Sequence, residues 1–211
     1  MNKSYLFFAI LLIHIGAALF DLESLEIASK VVLMPILIWH VWTVGSSYSQ
    51  KIALILALLF SWFGDILLVF EGQLYFMLGL GAFLIAHLTY SFIYFKKFEW
   101  QPIRLLPFIG FIGLFCFGIL NDALPDGLAI PVYVYMVVIC IMAYFATCRN
   151  IKGESYEYVL LGAILFIISD AFIAVNQFLN AVPFSAFWVM TTYGLAQFFI
   201  VKGLLKEDLK G

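Results

Sequence analysis

The chain has 211 residues, of which 65% are hydrophobic and 11% charged, and its mean hydropathy is +1.08. A soluble domain is nearer half apolar and a quarter charged, so this composition excludes an ordinary soluble fold and indicates an all-α integral membrane protein. The net charge of −2 excludes the basic surface that nucleic acid requires. Three cysteines lie in apolar runs without a CxxC pair, which favours small buried side chains.

A transmembrane helix needs about 20 apolar residues. The apolar runs predict eight transmembrane helices in a single polytopic membrane domain over residues 1–211. The first follows a short basic N-terminus, but no small-residue cleavage site precedes a soluble domain, so it is interpreted as a span rather than a signal peptide. The predicted spans are 5–20, 28–44, 52–70, 74–95, 103–120, 128–148, 158–179 and 184–204.

Charge divides sharply across this predicted topology. The cations on one side are Lys3, Lys51, Lys96, Lys97, Arg104, Arg149, Lys152, Lys202, Lys206 and Lys210. Only Lys30 falls on the other side, where the acidic residues cluster. Those residues are Asp21, Glu23, Glu26, Glu71, Asp122 and Asp126. By the positive-inside rule, both termini are predicted to be cytoplasmic.

Two carboxylates stand inside apolar runs, Asp65 within 58–70 and Asp170 within 160–177. A charge near mid-membrane costs on the order of 3 kcal/mol or more, so such residues are usually functional. The structural alternative is a bond to a neighbouring helix, which is worth only about 1 kcal/mol and needs no charge. Because each aspartate follows a small residue, we also predict two parallel four-helix repeats.

Other polar side chains lie near these aspartates at helical spacing. Ser61 is one turn before Asp65, His87 and Tyr90 share a helix face, and Tyr193 and Gln197 share another. Each could instead satisfy an ordinary hydrogen bond between helices. The sequence therefore predicts that these side chains orient water or substrate, with interhelical bonding as the alternative.

The second predicted helix carries two unusual residues. Lys30 is placed either to snorkel toward water or to meet an anionic headgroup. Pro35 is expected to kink the helix and leave one carbonyl without its helical partner. The glycine pairs in later spans, Gly79 with Gly81 and Gly110 with Gly113, are interpreted as close helix packing.

The sequence has no HxxxH, HExxH or CxxC pattern. A metal site of His87, Asp65 and Asp170 is conceivable only if the fold brings them together. We therefore predict no metal and no cofactor.

Five motifs follow one another along nearly the whole chain. They are Ser29-Lys30…Met34-Pro35, Ser61-x-x-Gly64-Asp65, Phe83-x-x-x-His87-x-x-Tyr90, Gly162-Ala163…Ser169-Asp170 and Tyr193-x-x-Ala196-Gln197. This order resembles the lysoplasmalogenase-like YhhN family of eight-helix membrane proteins. The resemblance implies hydrolysis of the vinyl ether of lysoplasmenyl-ethanolamine or -choline, giving a fatty aldehyde and glycerophosphoethanolamine or glycerophosphocholine.

That chemistry also suits the residues independently. A vinyl ether hydrolyses by proton transfer to carbon, and water captures the resulting oxocarbenium ion. Two nearby carboxyl groups in a poorly solvated site do not both ionise, so one remains an acid and the other an anion. Asp65 and Asp170 are therefore the predicted acid/base pair, as in glycosidases, and Lys30 is predicted to bind phosphate.

Three other functions are compatible with the same residues. The main one is a proton-coupled transporter that uses the aspartates as a relay; a metal-dependent hydrolase and a structural membrane protein are the others. For the leading function the partners would be a lysophospholipid substrate within the bilayer and membrane lipids. The short loops suggest a bacterial inner or plasma membrane, or the endoplasmic reticulum in a eukaryote.

Overall fold

The computed structural model describes residues 3–45, 48–125 and 127–207, and the chain is predominantly helical within them. The only strand-like pairing in these ranges is a bridge between Phe98 and Arg149. Asp126 and Lys210 lie outside the described residues. The helices are α1 (Lys3–Leu19), α2 (Glu23–Val44), α3 (Lys51–Leu67), α4 (Gln73–Phe95), α5 (Pro102–Leu120), α6 (Ala129–Thr147), α7 (Glu154–Phe178) and α8 (Ser185–Leu205).

The all-α integral membrane class is confirmed, but the count of eight spans is corrected. Six of the described helices are long and apolar enough to cross a membrane, and α1 and α3 are not among them. Each of these two has 17 residues. Helix α3 ends at Leu67 rather than at the predicted residue 70, because Val69 and Phe70 form turn bonds to Ile66 and Leu67.

Seven helices form a closed ring in which each contacts the next, in the order α1, α2, α3, α4, α6, α7, α8 and back to α1. Helix α5 packs outside this ring against α6. It changes form along its length, from a 3₁₀ turn (Pro102–Leu105) through an α-helical segment (Leu106–Ile112) to a π-helix (Gly113–Leu120). The ring therefore encloses an interior to which α3, α4, α6, α7 and α8 contribute.

Several of the described cations lie together at one end of the bundle. Lys3 lies 4.4 Å from the Trp39 ring near the end of α2. At the same end Arg149 pairs with Glu207 at 2.8 Å, and Lys206 pairs with Glu154. The predicted separation of basic and acidic ends thus has a counterpart in the packing of the described residues.

Pro35 leaves one carbonyl of α2 without its helical donor, as expected, and a side chain of α3 donates a hydrogen bond to that carbonyl. Proline has no N–H, so the carbonyl of Val31 four residues earlier lacks its helical donor. The indole Nε1 of Trp62 donates to that oxygen at 2.7 Å. This bond sets α2 against α3 one turn from Asp65.

Only one of the four glycines predicted to mediate close helix packing does so. Gly79 does lie where a Cβ would meet Leu68 at 2.9 Å. Gly81, Gly110 and Gly113 have no atom within 4 Å of a Cβ, so the packing interpretation is wrong for them. For Gly110 and Gly113 the reason is that α5 lies outside the ring.

We predict that Gly162→Ala destabilises the protein by about 1–3 kcal/mol, because it overpacks the α7–α8 contact. The added Cβ would meet the Ala196 carbonyl at 2.7 Å and the Ile200 side chain at 2.7 Å. Thermal unfolding in detergent measures the effect. Gly81→Ala in α4 is the matched control and should not lower the transition temperature; an equal loss in both variants would contradict this account of the packing.

Candidate active site

Asp170 projects from α7 into a network with α6 and α4. The Tyr135 hydroxyl donates to Asp170 Oδ2. His87 Nε2 lies 2.9 Å from the Tyr135 oxygen and 3.6 Å from Asp170 Oδ2. Because the Tyr135 proton points to the carboxylate, His87 Nε2 is the donor to Tyr135. A chain of donors therefore runs from His87 through Tyr135 to Asp170.

Asp65 lies in the last turn of α3 and belongs to a second network, with α8 and α4. The Tyr193 hydroxyl donates to Asp65 Oδ2 at 2.7 Å. Gln197, one turn further along α8, donates to Ser61 at 2.9 Å and accepts from the Tyr90 hydroxyl at 2.6 Å. All five side chains are at least 97% buried, so this network is a buried and extensively hydrogen-bonded polar core.

Two aromatic rings separate the networks. Phe83 and Phe166 each lie edge-on to Tyr193, with centroids at 5.8 and 5.5 Å. Phe166 also contacts the His87 ring at 4.6 Å. Gly64 permits this arrangement, because a Cβ there would meet the Phe83 ring at 2.6 Å. The small residue before Asp65 therefore makes room for the ring that stands beside the carboxylate.

Two adjoining cavities open toward the acidic end of the bundle. The larger, which we call the vestibule, has a volume of about 670 Å³ and is lined from α1, α2, α4, α7, α8 and the α3–α4 and α5–α6 connections. The smaller, which we call the inner cavity, has about 40 Å³ and includes Asp170 and Tyr135 in its wall. Both are lined by Leu68, Phe76, Ile173 and Phe178, so the inner cavity lies directly beneath the vestibule.

The predicted site residues thus divide among three places. Asp170 and His87 form one network, and Asp170 faces the inner cavity. Asp65, Ser61, Tyr90, Tyr193 and Gln197 form the other. Lys30 lines the vestibule. Asp65 lines neither cavity, because it is enclosed behind Tyr193 and Phe83.

Sequence reasoning missed Tyr135, which donates to Asp170. It stands in an apolar run of α6, where a tyrosine is indistinguishable from lipid-facing or core aromatics by composition. It also missed His14, which is fully buried, lines the vestibule and lies 3.0 Å from Ser29 Oγ. Within the described ranges, no three His, Cys, Asp or Glu side chains come together as a metal site; independence from metal stays a prediction.

The family model described as YhhN matches residues 25–204. The chain belongs to the YhhN family. Human lysoplasmalogenase TMEM86A is 34% identical over 151 residues, which cover 68% of this chain and 61% of the human protein.

Two further relatives are lysoplasmalogenases TMEM86B. The pig protein is 33% identical over 74% of this chain and 64% of its own length, and the mouse protein 28% identical over 81% and 71%. This YhhN family member therefore spans about three-fifths to seven-tenths of the relatives it matches. No solved structure matches it significantly.

Proposed function

We propose that this protein is a membrane lysoplasmalogenase that cleaves the vinyl ether of lysoplasmenyl-ethanolamine or lysoplasmenyl-choline. The observation that carries the proposal is Asp170 in the wall of the inner cavity, held by Tyr135 and His87 beneath a vestibule that contains Lys30. Membership of the YhhN family and similarity to proteins named lysoplasmalogenase support the same reaction.

In this mechanism Asp170 is the carboxyl group that meets the substrate. Its Oδ2 accepts from Tyr135, so Oδ1 is the oxygen that holds the acidic proton. That proton is transferred to the outer carbon of the vinyl ether, and the oxocarbenium ion forms at the carbon bearing oxygen. The Tyr135 hydroxyl, backed by His87, stabilises the charge left on Asp170, as a preorganised donor does for a developing anion.

The second half of the reaction returns the proton. The Asp170 carboxylate takes a proton from water as the water attacks the oxocarbenium ion, which is the exchange of acid and base roles that glycosidases use. The resulting hemiacetal collapses to the aldehyde and the glycerol hydroxyl. Asp65 provides the second negative charge of the pair, and its hydrogen bond from Tyr193 holds it in place.

The cavities suit a single-chain lipid. Besides Asp170 and Tyr135, the described wall of the inner cavity is apolar, with Leu80, Val132 and Met136 among its residues. The start of the alkenyl chain would lie there, while the polar headgroup would lie in the vestibule. A lysolipid can enter sideways from the bilayer because its tail need not leave hydrocarbon.

Mass spectrometry of a lysolipid panel incubated with the pure protein in detergent tests the function. Lysoplasmenyl lipids should yield a fatty aldehyde and the glycerophosphate ester, and the matched 1-O-alkyl and 1-acyl lysolipids should stay intact. No aldehyde from any vinyl ether, or release of fatty acid from the acyl lipid, would contradict the proposal.

We also propose that both termini are cytoplasmic. Lys3 near the N-terminus and Lys206 near the C-terminus lie at the same basic end of the bundle, which supports this orientation by the positive-inside rule. Lys51→Cys and Asp122→Cys should be labelled from opposite sides by an impermeant maleimide. Background labelling of the native cysteines should be low, because Cys116, Cys140 and Cys148 are buried. Labelling of both positions from one side would contradict this orientation.

A proton-coupled transporter is the second candidate. The observation that favours it is the hydrogen-bonded chain from Asp65 through Tyr193 and Gln197 to Tyr90, which leads from the acidic end toward the basic end. Proton uptake into liposomes without lipid turnover would favour this function. Turnover without proton uptake favours the hydrolase.

A further inference from the structure

The vestibule contains charges of both signs. Lys30 and Glu26 enter it from α2, and Glu71 enters from the α3–α4 connection. Within the part of the chain that the structure describes, none of these three side chains forms an ion pair within 4.0 Å. Charges that line a concave site without pairing with each other are available to a ligand of matching charge.

His14 supplies a second, independent polar group. It is fully buried and lines the same vestibule. Its Nδ1 lies 3.0 Å from the Glu26 carbonyl, an oxygen that can only accept, so Nδ1 carries the hydrogen. In the neutral ring Nε2 is then an acceptor, and it has no hydrogen-bond partner among the described residues. A buried acceptor without a donor is costly, which points to a ligand that donates to it.

We infer that the vestibule is a binding site for a zwitterionic headgroup in which the acidic residues bind its cationic end. Lys30 binds the phosphate, Glu71 and Glu26 bind the ammonium group, and His14 Nε2 accepts a hydrogen bond from the glycerol hydroxyl. This inference rests on the proposed function for the identity of the lipid, and it adds the groups that select its head.

The layout of a lysoplasmalogen matches the order of the cavities. Its glycerol carries the vinyl ether on the first carbon, a hydroxyl on the second and the phosphate on the third. When the vinyl ether lies in the inner cavity beside Asp170, the hydroxyl and phosphate must lie in the adjoining vestibule. A volume of about 670 Å³ accommodates the head with room for water.

The hydroxyl contact also explains a preference for a single-chain lipid. A second acyl chain would replace the hydroxyl hydrogen that His14 accepts. It would also place a long apolar group in a vestibule lined by Lys30, Glu26 and Glu71. The same residues would thus select both the charge of the head and the absence of a second chain.

Binding of lipids that cannot react tests the inference without relying on catalysis. The probes are 1-O-alkyl lysophosphoethanolamine and 1-O-alkyl lysophosphoglycerol, which differ in the cationic end, and thermophoresis of the protein in nanodiscs gives their affinities. Glu71→Gln should weaken the ethanolamine lipid about tenfold and leave the glycerol lipid unchanged, since a hydrogen bond to a charged group is lost. Lys30→Met should weaken both lipids.

Glu23→Gln is the matched control, because Glu23 is an exposed residue of the first turn of α2 that does not line the vestibule. It should change neither affinity. Equal weakening of both lipids by Glu71→Gln, or no change in either, overturns the cationic subsite.

The hydroxyl contact is tested with the 2-O-methyl analogue of the ethanolamine lipid. Wild-type protein should bind it about tenfold more weakly than the parent lipid, and His14→Leu should bind the two equally. If His14→Leu does not fold, the comparison on wild-type protein decides, and equal affinities overturn the contact.

The failure of this inference can be distinguished from the failure of the proposed function. If the protein shows the Glu71-dependent selectivity but releases no aldehyde from vinyl ethers, the headgroup site is supported and the hydrolase function is contradicted. If the protein hydrolyses vinyl ethers without this selectivity, the hydrolase function is supported and the headgroup site is contradicted.

Discussion

Asp170→Asn and Asp65→Asn should each lower vinyl-ether hydrolysis by about 10²–10⁴-fold, the usual contribution of a general acid or base. Asparagine keeps the shape and can still accept a hydrogen bond from Tyr135 or Tyr193, but it cannot exchange a proton or carry the negative charge. The rate of aldehyde release by purified protein measures the effect. Because Asp65 is proposed to act only through the reaction at Asp170, the double variant should be little slower than the slower single variant.

Folding must be shown to survive in these variants. Each should extract as a monodisperse species with a transition temperature close to wild type. Asp122→Asn is the matched control, since Asp122 is an exposed aspartate outside both cavities, and its rate should not change. If either amide variant keeps near-normal hydrolysis, that aspartate is structural and the two-carboxylate mechanism is wrong.

Tyr135→Phe should lower the turnover number by about 10- to 100-fold, because it removes a hydrogen bond to a charged group, which is worth about 1.5–3 kcal/mol. The missing hydroxyl leaves Asp170 without its donor and His87 Nε2 without its acceptor. The KM should change little, since the lost donor acts on the charge that develops in the reaction rather than on the bound headgroup.

Tyr133→Phe is the control for this substitution. Tyr133 lies two residues away on α6, and its hydroxyl contacts Asn121 at 3.4 Å near the surface. Its removal should leave both kinetic constants unchanged. A Tyr135→Phe enzyme with a normal turnover number, or one whose whole loss lies in KM, would show that the His87–Tyr135 chain does not support the acid.

Hydropathy predicts where each helix lies but not where it ends. Helix α2 begins at Glu23 and α7 at Glu154, several residues before the apolar runs at 28 and 158. These helices extend into polar sequence, where acidic residues in the first turn are favourable. A hydropathy pattern leaves such polar residues out of the predicted span. It also does not reveal that α3 has only 17 residues, which is why α3 is not among the six helices long enough to cross a membrane.

The site was predictable to the extent that polarity inside an apolar run is visible in the sequence. Asp65, Asp170, His87 and Gln197 stand out for that reason. Their grouping into two networks depends on side chains that meet across helices, such as Tyr90 of α4 with Gln197 of α8, which no local pattern specifies. Tyr135 is hidden because an aromatic residue in a span has many ordinary roles.

The central claim is that an acid of this protein protonates the vinyl ether at carbon. The most direct measurement is the mass of the aldehyde released from lysoplasmenyl-ethanolamine by the purified protein in D₂O. The account predicts one deuterium on the carbon next to the aldehyde group, and loss of this product in Asp170→Asn. An aldehyde without deuterium, or the same labelled product from Asp170→Asn at the wild-type rate, would contradict it.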